Sequence, residues 1–196
     1  MALGGGTYLV QNKVLPGAYI NFISAARASA TLSDRGYVAI PIELNWGPEE
    51  VITVENADIQ KNCFELFGYA YTDEEMKPLR ELFKGAKTAY IYRINGGGEK
   101  ASTVIGDFTI TAKYSGTRGN DIKVVINVNV DDESKYDVIT YVGSKKVDEQ
   151  TVSAVEELQD NAFVAFSGTG ELSPTAGVSL MGGTNGIVDG DSYSKF

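Results

Sequence analysis

The side chains that do most protein chemistry at neutral pH are scarce in this chain. Its 196 residues include no histidine and one cysteine, Cys63. Without imidazole there is no Ser-His-Asp or Cys-His nucleophile and no His-ligated zinc. A single thiol builds neither a thiolate cluster nor an intrachain disulfide. Cys63 sits in the apolar run Cys63-Phe64-Glu65-Leu66-Phe67 and reads as a small buried hydrophobe. Gly96-Gly97-Gly98-Glu99-Lys100 imitates a phosphate loop only in its glycines. The loop needs a hydroxyl residue after the lysine, where Ala101 stands, and Glu99 would repel phosphate. The acidic runs have simpler readings. Asp131-Asp132-Glu133 reads as a solvated turn, since calcium needs spaced oxygen ligands. Glu74-Glu75 stands at a helix start, where the dipole favours it. Thr117-Arg118-Gly119-Asn120-Asp121 reads as a tight turn in which Gly119 and Asn120 tolerate positive φ and Arg118 is free to pair with an acid. No catalytic, cofactor-binding or metal-binding residue is predicted, no cofactor, and no enzyme.

Composition narrows the partners. The formal net charge is −9, and the longest basic run is Lys145-Lys146. Nucleic acid and anionic membranes, which need a cationic face, are therefore excluded. The start, Met1-Ala2-Leu3-Gly4-Gly5-Gly6, lacks the basic and apolar regions of a signal peptide, so a cytoplasmic origin is expected. The hydrophobic content of 43% supports a packed core, and 22 glycines against 5 prolines suit a β-rich chain with many turns.

Four regions are expected. Residues 1–20 read as an arm: three glycines, the β-prone Thr7-Tyr8-Leu9-Val10, then a Pro16-Gly17 turn, with a strand over residues 18–23. Residues 21–97 read as an α/β portion. A strand over residues 36–42 is apolar on both parities, as if buried on both faces. The loop Trp46-Gly47-Pro48 follows. A helix over residues 58–67 carries Ile59, Cys63, Leu66 and Phe67 on one stripe, with Gly68 as its C-cap. Thr72-Asp73-Glu74-Glu75 reads as a capping box opening a second helix that buries Met76, Leu79, Leu82 and Phe83, with Pro78 awkward inside it. A strand over residues 89–94 completes the unit. Residues 98–184 read as a compact β domain, mainly of antiparallel strands, inserted after the α/β unit. In its clearest strand Ile122, Val124, Ile126, Val128 and Val130 face one way. A partner strand covers residues 136–142, a helix is expected near residues 152–159, and a strand over residues 162–167. Residues 185–196 read as a link into a new segment, with Asp191 capping a helix that is just beginning. The fold class expected is α+β: an N-terminal α/β core portion followed by an inserted antiparallel β domain. Glycine clusters at Gly96, Gly97, Gly98 and at Gly182, Gly183 are expected hinges between two folded units.

Five stretches, in order along the chain, resemble the contractile tail sheath family of myophages, defective prophages and R-type bacteriocins, in its Clostridium-type branch. They are Leu15-Pro-Gly-Ala-Tyr-Ile-Asn-Phe22; Ser33-Asp-Arg-Gly-Tyr-Val-Ala-Ile-Pro41 running to Trp46-Gly-Pro48; Tyr92-Arg-Ile-Asn-Gly-Gly97 with Lys100-Ala101; Thr111-Ala-Lys-Tyr-Ser-Gly-Thr-Arg-Gly-Asn120; and Leu180-Met-Gly-Gly-Thr-Asn-Gly186. The resemblance implies a structural subunit stacked as hexameric rings around a tail tube, contracting to drive the tube through a target envelope. It implies other sheath subunits, tube and baseplate proteins as partners, with no small-molecule substrate. It places the chain in a virion or phage-tail-like particle assembled in the host cytoplasm. It also implies that Thr7, Tyr8, Leu9 and Val10 exchange a strand with a neighbour, that residues 98–184 are an antiparallel β-sandwich that projects outward, completing the α+β fold, and that a subtilisin-like segment without protease activity begins after residue 184. The alternative from the residues alone is a surface carbohydrate-binding β module, suggested by the eleven tyrosines. Tyr90, Tyr92, Tyr136 and Tyr141 fall in predicted strands, where packing is the simpler role.

Overall fold

The computed structural model describes residues 36–195. Its α/β part is organised around strand β3 (Thr88–Arg93), which lies between β1 (Tyr37–Ile42), parallel to it, and the antiparallel β2 (Ile52–Glu55). A parallel pair needs a long crossover. The residues between β1 and β3 supply it, carrying β2 and the helices α1 (Ile59–Phe67) and α2 (Lys77–Phe83). Ile59, Cys63 and Phe67 of α1 and Leu79 and Phe83 of α2 pack with Val54, Ala89 and Ile91 in one apolar cluster. The expected stripe is present, with Leu66 partly buried. Gly68 closes α1 in the left-handed region at φ 74°.

Three local expectations are corrected. β1 is not buried on both faces: the helices cover one, and the other leaves Tyr37 and its neighbour Tyr90 of β3 exposed. The capping box does not form. Asp73 rather than Thr72 precedes a 3-10 turn, Glu74–Met76, with no side-chain cap bond, and the Asp73 carboxylate accepts from Ala70 N–H instead. That turn removes the difficulty with Pro78. The α-helix starts only at Lys77, so the proline occupies the first turn, where its missing N–H costs nothing.

The β part is a sandwich of two antiparallel sheets. One has the order β10 (Thr175–Ser179), β6 (Ile122–Val128), β7 (Tyr136–Val142), β8 (Lys145–Val152). The other has the order β4 (Ser102–Ile105), β5 (Phe108–Ala112), β9 (Val164–Gly168). β6 and β7 pair in continuous register from Ile122 opposite Val142 to Val128 opposite Tyr136. Ile122, Val124 and Ile126 enter a core with Phe108, Ile110, Val138 and Leu180. The alternation outruns that core: Val128 and Val130 are exposed, Val130 at 94%. Most of the helix expected near residues 152–159 is absent. Val152 ends β8, and only the 3-10 turn Val155–Glu157 follows. β8 is a polar edge strand whose pairing with β7 is interrupted by a register shift. Such an edge resists adding foreign strands. At the far end of the described chain Asp189, not Asp191, caps the last turn, its carboxylate accepting from Asp191 N–H, Ser192 N–H and the Ser192 hydroxyl.

Candidate functional site

A cluster of polar side chains, with Arg93, Asn95 and Ser115 buried, lies where the two cores meet. Four segments come together there: the loop after β1, the crossing that leaves β3, the turn between β5 and β6, and the crossing that returns from the sandwich. The described residues lie within one compact unit, and this junction links its two cores.

Arg93 is the centre. It ends β3 on the parity of Ala89 and Ile91, and is 2% exposed. A guanidinium has five N–H donors and no acceptor, and each finds an oxygen. Nε donates to Asn95 Oδ1 at 3.2 Å. One terminal nitrogen donates to Gly47 O at 3.1 Å and Ser115 O at 2.7 Å. The other reaches Asn95 O at 3.5 Å and Asn185 Oδ1 at 3.4 Å. Those acceptors belong to all four segments. Burial pulls the Arg93 pKa down, while the charge of Glu49 opposes that shift. Glu49 is tied in at one remove. The Ser115 hydroxyl donates to Glu49 Oε1 at 2.7 Å. The Glu49 carboxyl is held below its ordinary value, first by the Gly97 N–H, then by Ser115, with help from Arg93.

The asparagines extend the network. Asn185 Nδ2 donates to Asn45 Oδ1 at 2.8 Å, and Asn185 Oδ1 also accepts from Thr117 N–H. Asn120 exchanges two bonds with the backbone of Gly183. Arg118 donates to Gly68 O at 3.0 Å, pairs with Asp121 at 2.9 Å and lies 4.4 Å above the Tyr69 ring. The acid expected for Arg118 is thus Asp121, in its own turn. That turn, Thr117–Asp121, is 3-10. Its positive φ falls at Gly116, at 129°, and not at Gly119 or Asn120. An apolar plug accompanies the polar knot. Trp46 lies in the loop after β1, well before the first sandwich strand at Ser102, yet is buried in the sandwich core, edge-on to Tyr114 and stacked on Phe163.

The predicted hinge glycines lie in this junction. Gly96, Gly97 and Gly98 are on the outgoing crossing, and Gly182 and Gly183 are on the return. The crossings run side by side: Gly186 N–H donates to Asn95 O, and Thr184 N–H to Glu99 O. A Cβ on Gly98 would lie 1.9 Å from Thr184 O, and one on Gly186 would lie 1.8 Å from Gly96 O. Close backbone approach therefore demands glycine at both positions. Thr7, Tyr8, Leu9 and Val10 lie outside the described residues.

Nothing at the junction is arranged for catalysis. Cys63 is buried, and burial pushes its thiol up to about 11. Asp189 and Asp191 line an open cleft of about 320 Å³ beside Glu49, but Asp189 is engaged by its own turn. Among the described residues no three His, Cys, Asp or Glu side chains gather as a metal site, and no helix is long and apolar enough to cross a membrane. Sequence reading missed Arg93, Glu49 and Ser115. Arg93 had left a signal, a cation on the inward parity of an apolar strand. Ser115 lay within the Thr111–Asn120 stretch without a role assigned to it, and Glu49 had left no signal.

The described residues form an α/β lobe and a β-sandwich clasped through a polar knot. Comparison with known proteins agrees. Residues 35–94 match the family described as the tail sheath protein Gp18 domain III N-terminal region, and residues 95–185 match the phage tail sheath protein beta-sandwich domain. The phage-like element PBSX protein XkdK of Bacillus subtilis is 35% identical over 99% of this chain and 45% of its own length. Protein YqbK of the same organism is 34% identical over the same shares. The crystal structure of a sheath tail protein from Desulfitobacterium hafniense superposes with a TM-score of 0.77 at 44% identity, covering 91% of this chain and 41% of that one. A sheath tail protein from Listeria innocua gives 0.73 at 36% identity, over 82% and 37%. The chain belongs to the phage tail sheath family, a family of structural tail proteins and not of enzymes. It spans less than half the length of each of these relatives.

Proposed function

We propose that this chain is the N-terminal part of a sheath subunit that polymerises as stacked hexameric rings around a tail tube and contracts to drive the tube through a target cell envelope. The observation that carries the reading is the likeness to the D. hafniense sheath tail protein over 91% of the chain. A second supports it: four of the five stretches behind the family resemblance meet at one junction, around Arg93. Partners on this reading are further sheath subunits, the tube and the baseplate, in a particle assembled in the bacterial cytoplasm. The open face of the α/β sheet, carrying Tyr37 and Tyr90, suits packing by further sheath chain of the kind the longer relatives possess.

Two elements have distinct parts in this proposal. Residues 1–20 act as an arm whose Thr7, Tyr8, Leu9 and Val10 add a strand to a neighbouring subunit. Ordering a short segment costs roughly 1–2 kcal/mol per residue, and each ladder bond returns about 1 kcal/mol net. A neighbour's edge at high local concentration is what would tip that balance. Gly96 to Gly98 and Gly182 to Gly183 act as the hinge between lobes.

The test is electron microscopy of the complete subunit containing this chain, with and without residues 2–12. The intact subunit is expected to form tubes of stacked sixfold rings, and the deletion to leave folded, unpolymerised protein. Intact subunits that stay monomeric at every concentration would overturn the polymer reading. Normal tubes from the deletion would overturn the role of the arm.

A further inference from the structure

We propose that Arg93, backed by Glu49 through Ser115, and the Trp46 plug form a two-part lock that fixes the sandwich on the α/β lobe, so that the glycine crossings turn only when the lock is undone. The inference concerns the chain by itself and holds whether or not the sheath reading does.

The geometry carries it in three ways. First, the acceptors of the buried guanidinium come from four separate segments: Gly47, Asn95, Ser115 and Asn185. A rotation of the sandwich about the crossings removes Ser115, and with it the shortest of these bonds, at 2.7 Å. Charge-assisted bonds of this kind are the strong ones. Second, Trp46 reaches from the α/β side into the sandwich core, stacked on Phe163 at 6.0 Å. Turning the sandwich must withdraw a large ring from a packed interior, where small misfits are felt. Third, the crossings touch at backbone level, Gly186 N–H on Asn95 O and Thr184 N–H on Glu99 O. They are therefore bonded to each other while the lock is closed. Interfaces so packed tend to be bistable and not continuously deformable.

Glu49 is the member that can be altered without opening a hole. Its side chain is exposed, and it acts on Arg93 through the Ser115 hydroxyl at 2.7 Å and through its charge. Glu49→Gln keeps the shape and removes the charge.

Native-state amide exchange on the 196-residue chain reads the lock directly, because it detects rare openings. The informative amides are Gly186, Thr184 and Arg118, the last donating to Asn45 O. In Glu49→Gln and, separately, in Ser115→Ala, these three are expected to exchange about tenfold faster or more, the size that follows loss of one bond to a charged group. Amides within β3 and within β6 should keep their parent rates. Junction amides that keep their parent rates in both variants would overturn the lock. So would acceleration of all amides in both lobes together, since that is general destabilisation and not local opening.

Discussion

Glu49 stands at the solvent side of the junction and gives it a pH dependence. Its carboxyl titrates below the ordinary 4.5 because the Gly97 N–H and the Ser115 hydroxyl stabilise the charged form. The folded chain therefore binds this proton less readily than the unfolded chain does. The resulting stabilisation is complete above the unfolded value and drains away as pH falls through the depressed folded value. Denaturant unfolding measured from about pH 6 down to about pH 3 should show a steeper acid loss in the parent than in Glu49→Gln. Identical slopes would remove Glu49 from the junction's energetics.

Among the elements, the crossings decide whether two lobes make one unit. Gly186→Ala places a methyl carbon 1.8 Å from Gly96 O, so backbone must move. Loss of about 2–4 kcal/mol is expected, in the range of severe local disruptions. Gly85, just after α2, has nothing within 4 Å of an added Cβ. Gly85→Ala should be neutral or raise stability by up to about 1 kcal/mol through the unfolded state. Thermal melting of both variants checks the pair, and equal effects would contradict the close approach. The same contrast shows what the sequence could disclose. The stripe of α1, the alternation from Ile122 to Ile126 and the return strand from Tyr136 to Val142 were legible because each repeats one periodicity against one core. β2 escaped notice because it is four residues long. β8 escaped because an edge strand with a register shift carries polar residues where alternation would be sought. The knot was legible only as scattered glycines, asparagines and one inward arginine. Its partners are up to 140 positions apart, and nothing local pairs them.

For the whole molecule, membership of the phage tail sheath family makes this chain part of a structural tail protein. The sandwich is bonded to the α/β lobe through the junction, and the outer face of the α/β sheet carries the exposed Tyr37 and Tyr90. The most direct measurement of the proposed sheath role is immunogold electron microscopy, with antibodies raised against the 196-residue chain applied to phage-like particles from the bacterium that encodes it. Gold is expected along the whole tail shaft at a regular axial repeat, and on the shortened shaft of contracted particles. Label confined to the baseplate or the head, or found on the cell surface and never on a tail shaft, would contradict the account.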